Sequence, residues 1–348
     1  MVRENRSELL RKLPDSSLIL AVDGGASKTD VALIDAGGNI VGAARRAGST
    51  NFGLGSNGSL EALEKAVAVA SRNGGLDASR KPIAGIGVYC LAGADIPADY
   101  RRIAAELEGR GWTRKTLVRN DTLAVLRAGT DRGWGVAVVF GTGMNCAGIG
   151  PGGRSVRFPA FGELSGDRAH GGGWLGRAAL GSAIRARDGR GPRTMLERLV
   201  PEHFSMSRPT TVMEAVYVGR LDAGRLSELS PVVFSAAAQG DQVSQRLIDE
   251  MADEVVATAG AAIRRLHVAS RDVHVVLGGG VFRSRDKRLL TRVRTGIEAI
   301  APKADLRLLE APPVLGAALI GLDEVGAGPL ARERLRVVLT HKRLLAKG

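Results

Sequence analysis

The residues with most chemistry in them lie between 18 and 42, where an apolar strand runs into Asp23-Gly24-Gly25, a polar Ser27-Lys28-Thr29 turn follows, and a second apolar strand resumes. Adjacent glycines let a backbone turn tightly and bring N–H groups against a ligand where a side chain would clash. A carboxylate at the strand end, with hydroxyls in the turn, suits a polyphosphate carrying a divalent cation, so Asp23 is the candidate Mg²⁺ anchor, directly or through water. The same device recurs as Gly141-Thr142-Gly143 between two apolar strands, and a third turn, Gly278-Gly279-Gly280, joins a strand at 273–277 to a helix. Three glycine turns at strand ends point to a nucleotide clamp built from two similar halves. Phosphoryl transfer also needs a group to accept the proton of the attacking hydroxyl, and Asp121, after Asn120 at the end of a strand, is placed for it. The competing reading of Asp121 is a helix cap.

No G-x-x-x-x-G-K-[ST] is present, and neither early glycine cluster gives G-x-G-x-x-G opening a helix, so the phosphates have to be held by hairpin turns. The elements that must position them read as follows. Strands at 18–42 enclose the first turn and are followed by the hairpin turn 36–39. A helix at 57–73 follows, with Leu60, Leu63, Val67 and Ala70 on one face. A buried strand at 83–93, a helix at 98–109 and a strand at 115–121 complete the first half. The second half repeats the opening, with a hairpin around Gly141, a turn at 150–153, and a glycine-dense stretch at 158–176. Helices are expected at 178–187, 193–199, 210–217 and 242–267, and a closing helix at 311–322. The expected fold is α/β with mixed sheets, given twice, and a ligand-binding cleft between the halves.

The 348 residues suffice for two domains with a core each, and 44% hydrophobic with 24% charged residues is the composition of an ordinary globular protein. Only Cys90 and Cys146 occur, so neither a disulfide framework nor a cysteine-bound zinc is expected. The polar, charged N-terminus has no signal-peptide core, and no apolar run is long enough to span a bilayer; the expected location is the cytoplasm. A net charge of +13 raises the question of nucleic acid, but aromatics are only 4% and no DNA- or RNA-binding signature is present. No nucleic-acid or membrane partner is expected; the positive field suits an anionic substrate such as ATP.

Taken in order, Asp23 to Asp30, Ser49-Thr50-Asn51, Asn120-Asp121, Gly141-Thr142-Gly143-x-Asn145, Gly166-Asp167 and Leu277 to Gly280 resemble the N-acetylglucosamine kinase group of the BadF/BadG/BcrA/BcrD-type ATPase family, within the sugar kinase, Hsp70 and actin superfamily. The resemblance covers roughly residues 18 to 322 and implies two RNase-H-like, actin-like ATPase domains closing over ATP and an amino sugar. Domain limits expected on that basis are an extension at 1–17, domains at 18–121 and 122–310, a closing helix at 311–328 and a basic tail at 329–348. The resemblance places the first phosphate loop on Asp23, Gly24, Gly25, Ser27, Lys28 and Thr29, the second on Gly141, Thr142 and Gly143, and the adenosine turn on Gly278, Gly279 and Gly280. It places the catalytic base on Asp121. Substrate contacts fall on Asn51, Asn145 and Asp167, and on Asn120 beside the base, with the main chain near Thr142 and Gly162 adjoining. ATP and Mg²⁺ are the implied cofactors, an amino sugar the implied substrate, and a homodimer the implied assembly.

In one place the chain departs from the pattern. The kinases usually carry an acidic, Gly-Ser-rich turn after Gly-Asp, whereas this chain runs Arg168-Ala169-His170-Gly171-Gly172-Gly173-Trp174, slightly longer and basic. The expected reaction is transfer of the γ-phosphate to the 6-hydroxyl of N-acetylglucosamine, with glucosamine or another hexosamine as alternatives. A second class, the ATPase activators of acyl-CoA dehydratases, shares the phosphate loops but holds an iron–sulfur cluster on cysteines that two distant thiols hardly supply. A third, a sugar-responsive transcription regulator, needs a DNA-binding domain for which neither extension has room.

Overall fold

A computed structural model describes residues 17–52 and 56–345, without the side chains of 56 and 57. The expected extension at 1–17, except Ser17, and the last three residues of the expected tail lie outside the described residues. In chain order the strands are β1 (Leu18–Gly24), β2 (Lys28–Asp35), β3 (Ile40–Ala47), β4 (Ala84–Leu91), β5 (Thr113–Asn120), β6 (Gly135–Phe140), β7 (Met144–Ile149), β8 (Ser155–Arg157), β9 (His274–Gly278) and β10 (Asp305–Leu308). The helices are α1 (Ser56–Asn73), α2 (Pro97–Glu108), α3 (Asp121–Gly129), α4 (Gly172–Arg187), α5 (Leu196–His203), α6 (Pro209–Tyr217), α7 (Ser230–Ala238), α8 (Gln242–Arg265), α9 (Gly280–Arg283), α10 (Lys287–Ile300), α11 (Val314–Glu324), α12 (Pro329–Val338) and α13 (His341–Leu345).

Two five-stranded sheets are formed, ordered β3-β2-β1-β4-β5 and β10-β9-β6-β7-β8. In each, the first three strands lie consecutively and the fourth and fifth add beyond the first, so the expected duplication is present. In the first sheet β1, β2 and β3 are antiparallel neighbours, while β4 and β5 run parallel to β1.

The chain divides into two compact units, one of residues 1–137, 151–153 and 307–348, the other of 138–150 and 154–306. This differs from the limits read from the sequence: α3 and everything after β10 belong with the first unit. The reason is the apolar content of β1, which is buried on both faces. Leu18, Leu20 and Val22 pack with Leu63, Val67, Ile103 and Leu107 of α1 and α2. Ile19 and Ala21 instead pack with Ala124 of α3 and with Val314, Leu319, Leu335 and Leu344 from the C-terminal helices. Without those helices one face of the sheet would be bare.

The approach of α11 to α3 depends on Gly316, where a Cβ would collide with the Ala124 carbonyl. The far end of α3 is capped by Arg336 of α12, whose guanidinium donates to the carbonyl oxygens of Ala128 at 2.7 Å, Arg127 at 3.2 Å and Thr130 at 3.2 Å. A cation on the carbonyl end of a helix satisfies orphan acceptors and suits the helix dipole. The basic tail is partly seated in the unit: Ala331, Leu335 and Leu344 are buried, while Leu330 and Val337 face solvent.

In the second unit, α8 and α10 pack closely, with Gly296 against Val256. Arg288 and Arg292 of α10 make paired bonds to Asp249 and Asp253 of α8. No helix among the described residues is long and apolar enough to cross a membrane.

Candidate active site

The carboxyl ends of the parallel strands β1, β4 and β5 lie side by side, with Asp23 opposite Cys90 and Leu91 opposite Asn120. Ligands in α/β sheets bind beyond such ends. Three carboxylates follow from this register: Asp23 at the end of β1, Asp95 in the loop after β4, and Asp121 at the first position of α3.

Asp23 opens the first glycine turn. Gly24 is required by space, since a Cβ there would strike Thr50 Oγ1 and lie 2.6 Å from Leu91. The turn is closed by the Gly25 N–H donating to the Lys28 carbonyl at 3.0 Å, and is braced by Thr50 N–H on the Gly25 carbonyl at 2.9 Å and by the Thr29 and Thr50 hydroxyls at 3.0 Å. The Gly25 N–H therefore serves the turn itself, leaving Ala26 and Ser27, both exposed, at its tip. Asn51 follows Thr50 directly; its N–H is held by Ser49 Oγ at 3.2 Å and its carbonyl by Ser59 at 3.0 Å.

Lys28 bridges two carboxylates, reaching Asp30 at 2.7 Å and Asp23 at 3.4 Å. Asp30 is fully buried and takes a two-pronged bond from Arg45, its cross-strand partner, at 2.6 Å on each oxygen. Burial alone would raise Asp30, but the bonds from Arg45 and the charge of Lys28 hold it below the usual carboxylate range. Asp23 goes the other way: burial raises it to about 6 despite Lys28.

Asp121 is partly exposed as a residue, yet its Oδ1 is buried and has no hydrogen-bond partner among the described residues. Burial pushes its carboxyl up to about 7, with repulsion from Asp23 and Asp95 adding to the effect. Such a group has the basicity of a proton acceptor at neutral pH. The cap of this helix, the competing reading of Asp121, falls instead on Asn120, whose Oδ1 accepts from the Thr122 N–H at 3.1 Å and from the Thr122 hydroxyl. Asn120, expected among the substrate contacts, is engaged within the protein. Its amide also donates to the Ala94 carbonyl at 3.1 Å and to Asp95 Oδ1 at 2.9 Å, so two donors and two acceptor sites are taken.

In the second unit the other two glycine turns converge. Gly141, Thr142 and Gly143 form the tip between β6 and β7, closed by the Gly141 N–H on the Gly143 carbonyl at 2.8 Å. The start of α4 lies against it: Gly172 and Gly173 donate to the carbonyls of Gly141 and Thr142 at 2.8 and 3.0 Å. Gly171, at φ +126°, allows this approach, since a Cβ there would sit 2.6 Å from the Thr142 oxygen. Gly278 ends β9, and Gly279, at φ +102°, lies over the Phe140 backbone so closely that any Cβ would collide. Gly280 then starts α9. Exposed Thr142 and Gly143 remain open to a ligand.

Asn145 and Asp167 are brought together on one narrow crevice, with Met144, Phe158, Pro159 and Thr258. Asn145 Oδ1 accepts from the Cys146 N–H at 2.8 Å, and Asp167 accepts from the Ser165 hydroxyl at 2.7 Å. The basic loop folds back on itself, with the His170 ring 3.2 Å from where a Cβ on Gly162 would stand. Cys90 and Cys146 are both buried thiols, as expected of small apolar residues.

Sequence reasoning missed Asp95, Asp30 and Arg45. A signal for Asp95 exists in Leu91-Ala92-Gly93-Ala94-Asp95, another strand end running into glycine and a carboxylate.

Two relatives are similar to this chain in sequence. An N-acetylmuramic acid/N-acetylglucosamine kinase of Clostridium acetobutylicum is 28% identical over 233 residues, covering 67% of this chain and 76% of the relative. An N-acetyl-D-glucosamine kinase of Dictyostelium discoideum is 22% identical over 319 residues, 88% of this chain and 98% of the relative. Among solved structures, a Chromobacterium violaceum protein provisionally named an N-acetylglucosamine kinase shares the fold with a TM-score of 0.71 and 24% identity, covering 88% of this chain and 99% of that one. The model of the BadF/BadG/BcrA/BcrD ATPase family matches residues 20–321, and the chain belongs to that family.

Proposed function

We propose that this chain is a cytoplasmic, ATP-dependent amino-sugar kinase that transfers the γ-phosphoryl group of ATP to the 6-hydroxyl of N-acetylglucosamine or a near relative of it. The carrying observation is Asp121: a carboxyl raised to about 7, with one buried oxygen that has no hydrogen-bond partner among the described residues, at the carboxyl edge of a sheet and within electrostatic reach of Asp23. The 6-hydroxyl gives its proton to the Asp121 carboxylate as its oxygen attacks the γ-phosphorus. The bond from that phosphorus to the β,γ-bridging oxygen breaks, and ADP leaves.

In this reading the tip of the first turn, Lys28, Thr142 and Gly143 hold the phosphates. Gly278 to Gly280 receive the adenosine, and Asn51, Asn145 and Asp167 bind the sugar. Asp23 suits Mg²⁺, as a buried carboxylate at the mouth of a glycine turn whose tip, Ala26 and Ser27, is exposed. One carboxylate is the sparse protein ligation Mg²⁺ takes when phosphate oxygens and water supply the rest. Asp23 would hold the cation, which would supply neutralisation of the phosphate charge. The working assembly is a homodimer, which light scattering on the purified chain checks.

The test is ADP release from Mg-ATP with N-acetylglucosamine, glucosamine, N-acetylmannosamine, N-acetylmuramic acid, glucose or no sugar. Strong stimulation by an amino sugar supports the proposal; turnover indifferent to every sugar refutes it. The name of the Clostridium relative places N-acetylmuramic acid in the panel. An iron–sulfur activator is disfavoured by Cys90 and Cys146, both buried.

A further inference from the structure

We propose that Asn120 and Asp95 are positioning residues for Asp121: the Asn120 amide ties the loop after β4 to the first turn of α3, and so fixes where the Asp121 carboxyl stands. The proposal rests on reading Asp121 as the base. A base whose Oδ1 has no hydrogen-bond partner is not held by its own side chain on that side. Its place is then set chiefly by the main chain that carries it, and that main chain is held on its N-terminal side by Asn120.

A plain helix cap would need only the acceptor oxygen, which Ser, Thr or Asp supplies as well as Asn. Asn120 does more. It is 2% exposed, and its amide nitrogen donates to the Ala94 carbonyl and to Asp95 Oδ1 in the neighbouring loop. That loop is itself anchored, because Asp99 in the first turn of α2 accepts from the N–H groups of Asp95 and Ile96 at 3.3 and 3.1 Å. A continuous series of bonds thus runs from the start of α2, through Asp95 and Asn120, to the start of α3. Among the side chains that can cap a helix, only an amide joins these elements, since it has two donors as well as the acceptor.

The test uses Asn120→Asp, Asp95→Ala and the exchange Asp95→Asn/Asn120→Asp in the full chain, with kcat, both KM values and thermal unfolding measured for each. Asn120→Asp keeps the cap acceptor, removes both donors and sets a carboxylate against Asp95. Its kcat should fall by about tenfold to a hundredfold, as expected for a displaced reacting group, with the KM values within about twofold of the parent. Asp95→Ala leaves the cap whole, so it reads the proposal even where Asn120→Asp folds badly, and its kcat should fall in the same way. The exchange variant restores a carboxylate–amide pair with the roles reversed and should recover part of the lost kcat.

A raised sugar KM with kcat retained would make Asn120 a sugar contact and overturn the proposal. Unchanged kcat in both single variants would also overturn it. Failure of the underlying reading shows separately, as parental turnover in Asp121→Asn.

Discussion

Replacing Asp121 by Asn should make the protein more stable while removing its activity, and the gain should depend on pH. The carboxyl is raised from 3.8 to about 7 in the folded chain. Each pH unit between the two values is worth about 1.4 kcal/mol, so ionising Asp121 in its native setting costs about 4 kcal/mol at most. Partial exposure of the residue lets water share that cost, and about 2 kcal/mol is the better expectation. A raised carboxyl favours the folded state relative to higher pH: that contribution is complete below the unfolded value and is lost as pH rises through the folded one. Asn carries no such charge. Above pH 7 the variant should therefore melt about 5 °C higher in the unit that carries it, and the gap should shrink toward nothing near pH 4. The assay is thermal unfolding of parent and variant across that range, alongside ADP release, which should drop by about a hundredfold or more. A variant that melts no higher than the parent above pH 7, or by the same margin at both ends of the range, would refute the assignment of a buried, penalised charge.

For the parent, kcat/KM should rise with pH as Asp121 ionises and level off above about 7, losing about tenfold per pH unit on the acid side; a flat profile there removes Asp121 as the base. Asp30→Ala should destabilise by about 3–5 kcal/mol in urea unfolding, because it strips the buried partner from Arg45 and Lys28, and a loss below about 1 kcal/mol would mean water replaces the pair. Gly279→Ala should raise the KM for ATP with little change in that for sugar, since the new Cβ collides with the Phe140 backbone at φ +102°; equal effects on both would move the adenosine turn elsewhere.

The parts of this site legible in the sequence are those written in local pattern. The apolar run of β1 and the glycines after it announce Asp23 and its turn, because a strand followed by adjacent glycines has few other uses. Leu289, Val293 and Ile297 at four-residue intervals equally announce α10, a helix that attention to glycine turns passes over. Short β8 and β10 carry too few residues to show alternation. The roles of Asn120 and Asp121 are interchangeable in sequence, since either residue type caps a helix, and only the bonds to Ala94 and Asp95 separate them. Asp30 with Arg45 is invisible for another reason: the pair is made by hairpin register across fifteen positions, and the same two letters elsewhere would be ordinary surface charges.

Arg336 gives the end of the chain an unexpected standing. Its guanidinium grips the last turn of the helix that begins with Asp121, so the proposed base is mounted on a rod held at its far end by a residue met only after more than 200 further positions. A fusion or a protease cut ahead of α12 would leave every glycine turn and every carboxylate of the site in place and still unclamp that rod. Completion of the glycine turns during synthesis is thus not completion of the proposed catalyst, which waits for α12 to emerge and settle on the back of the first sheet.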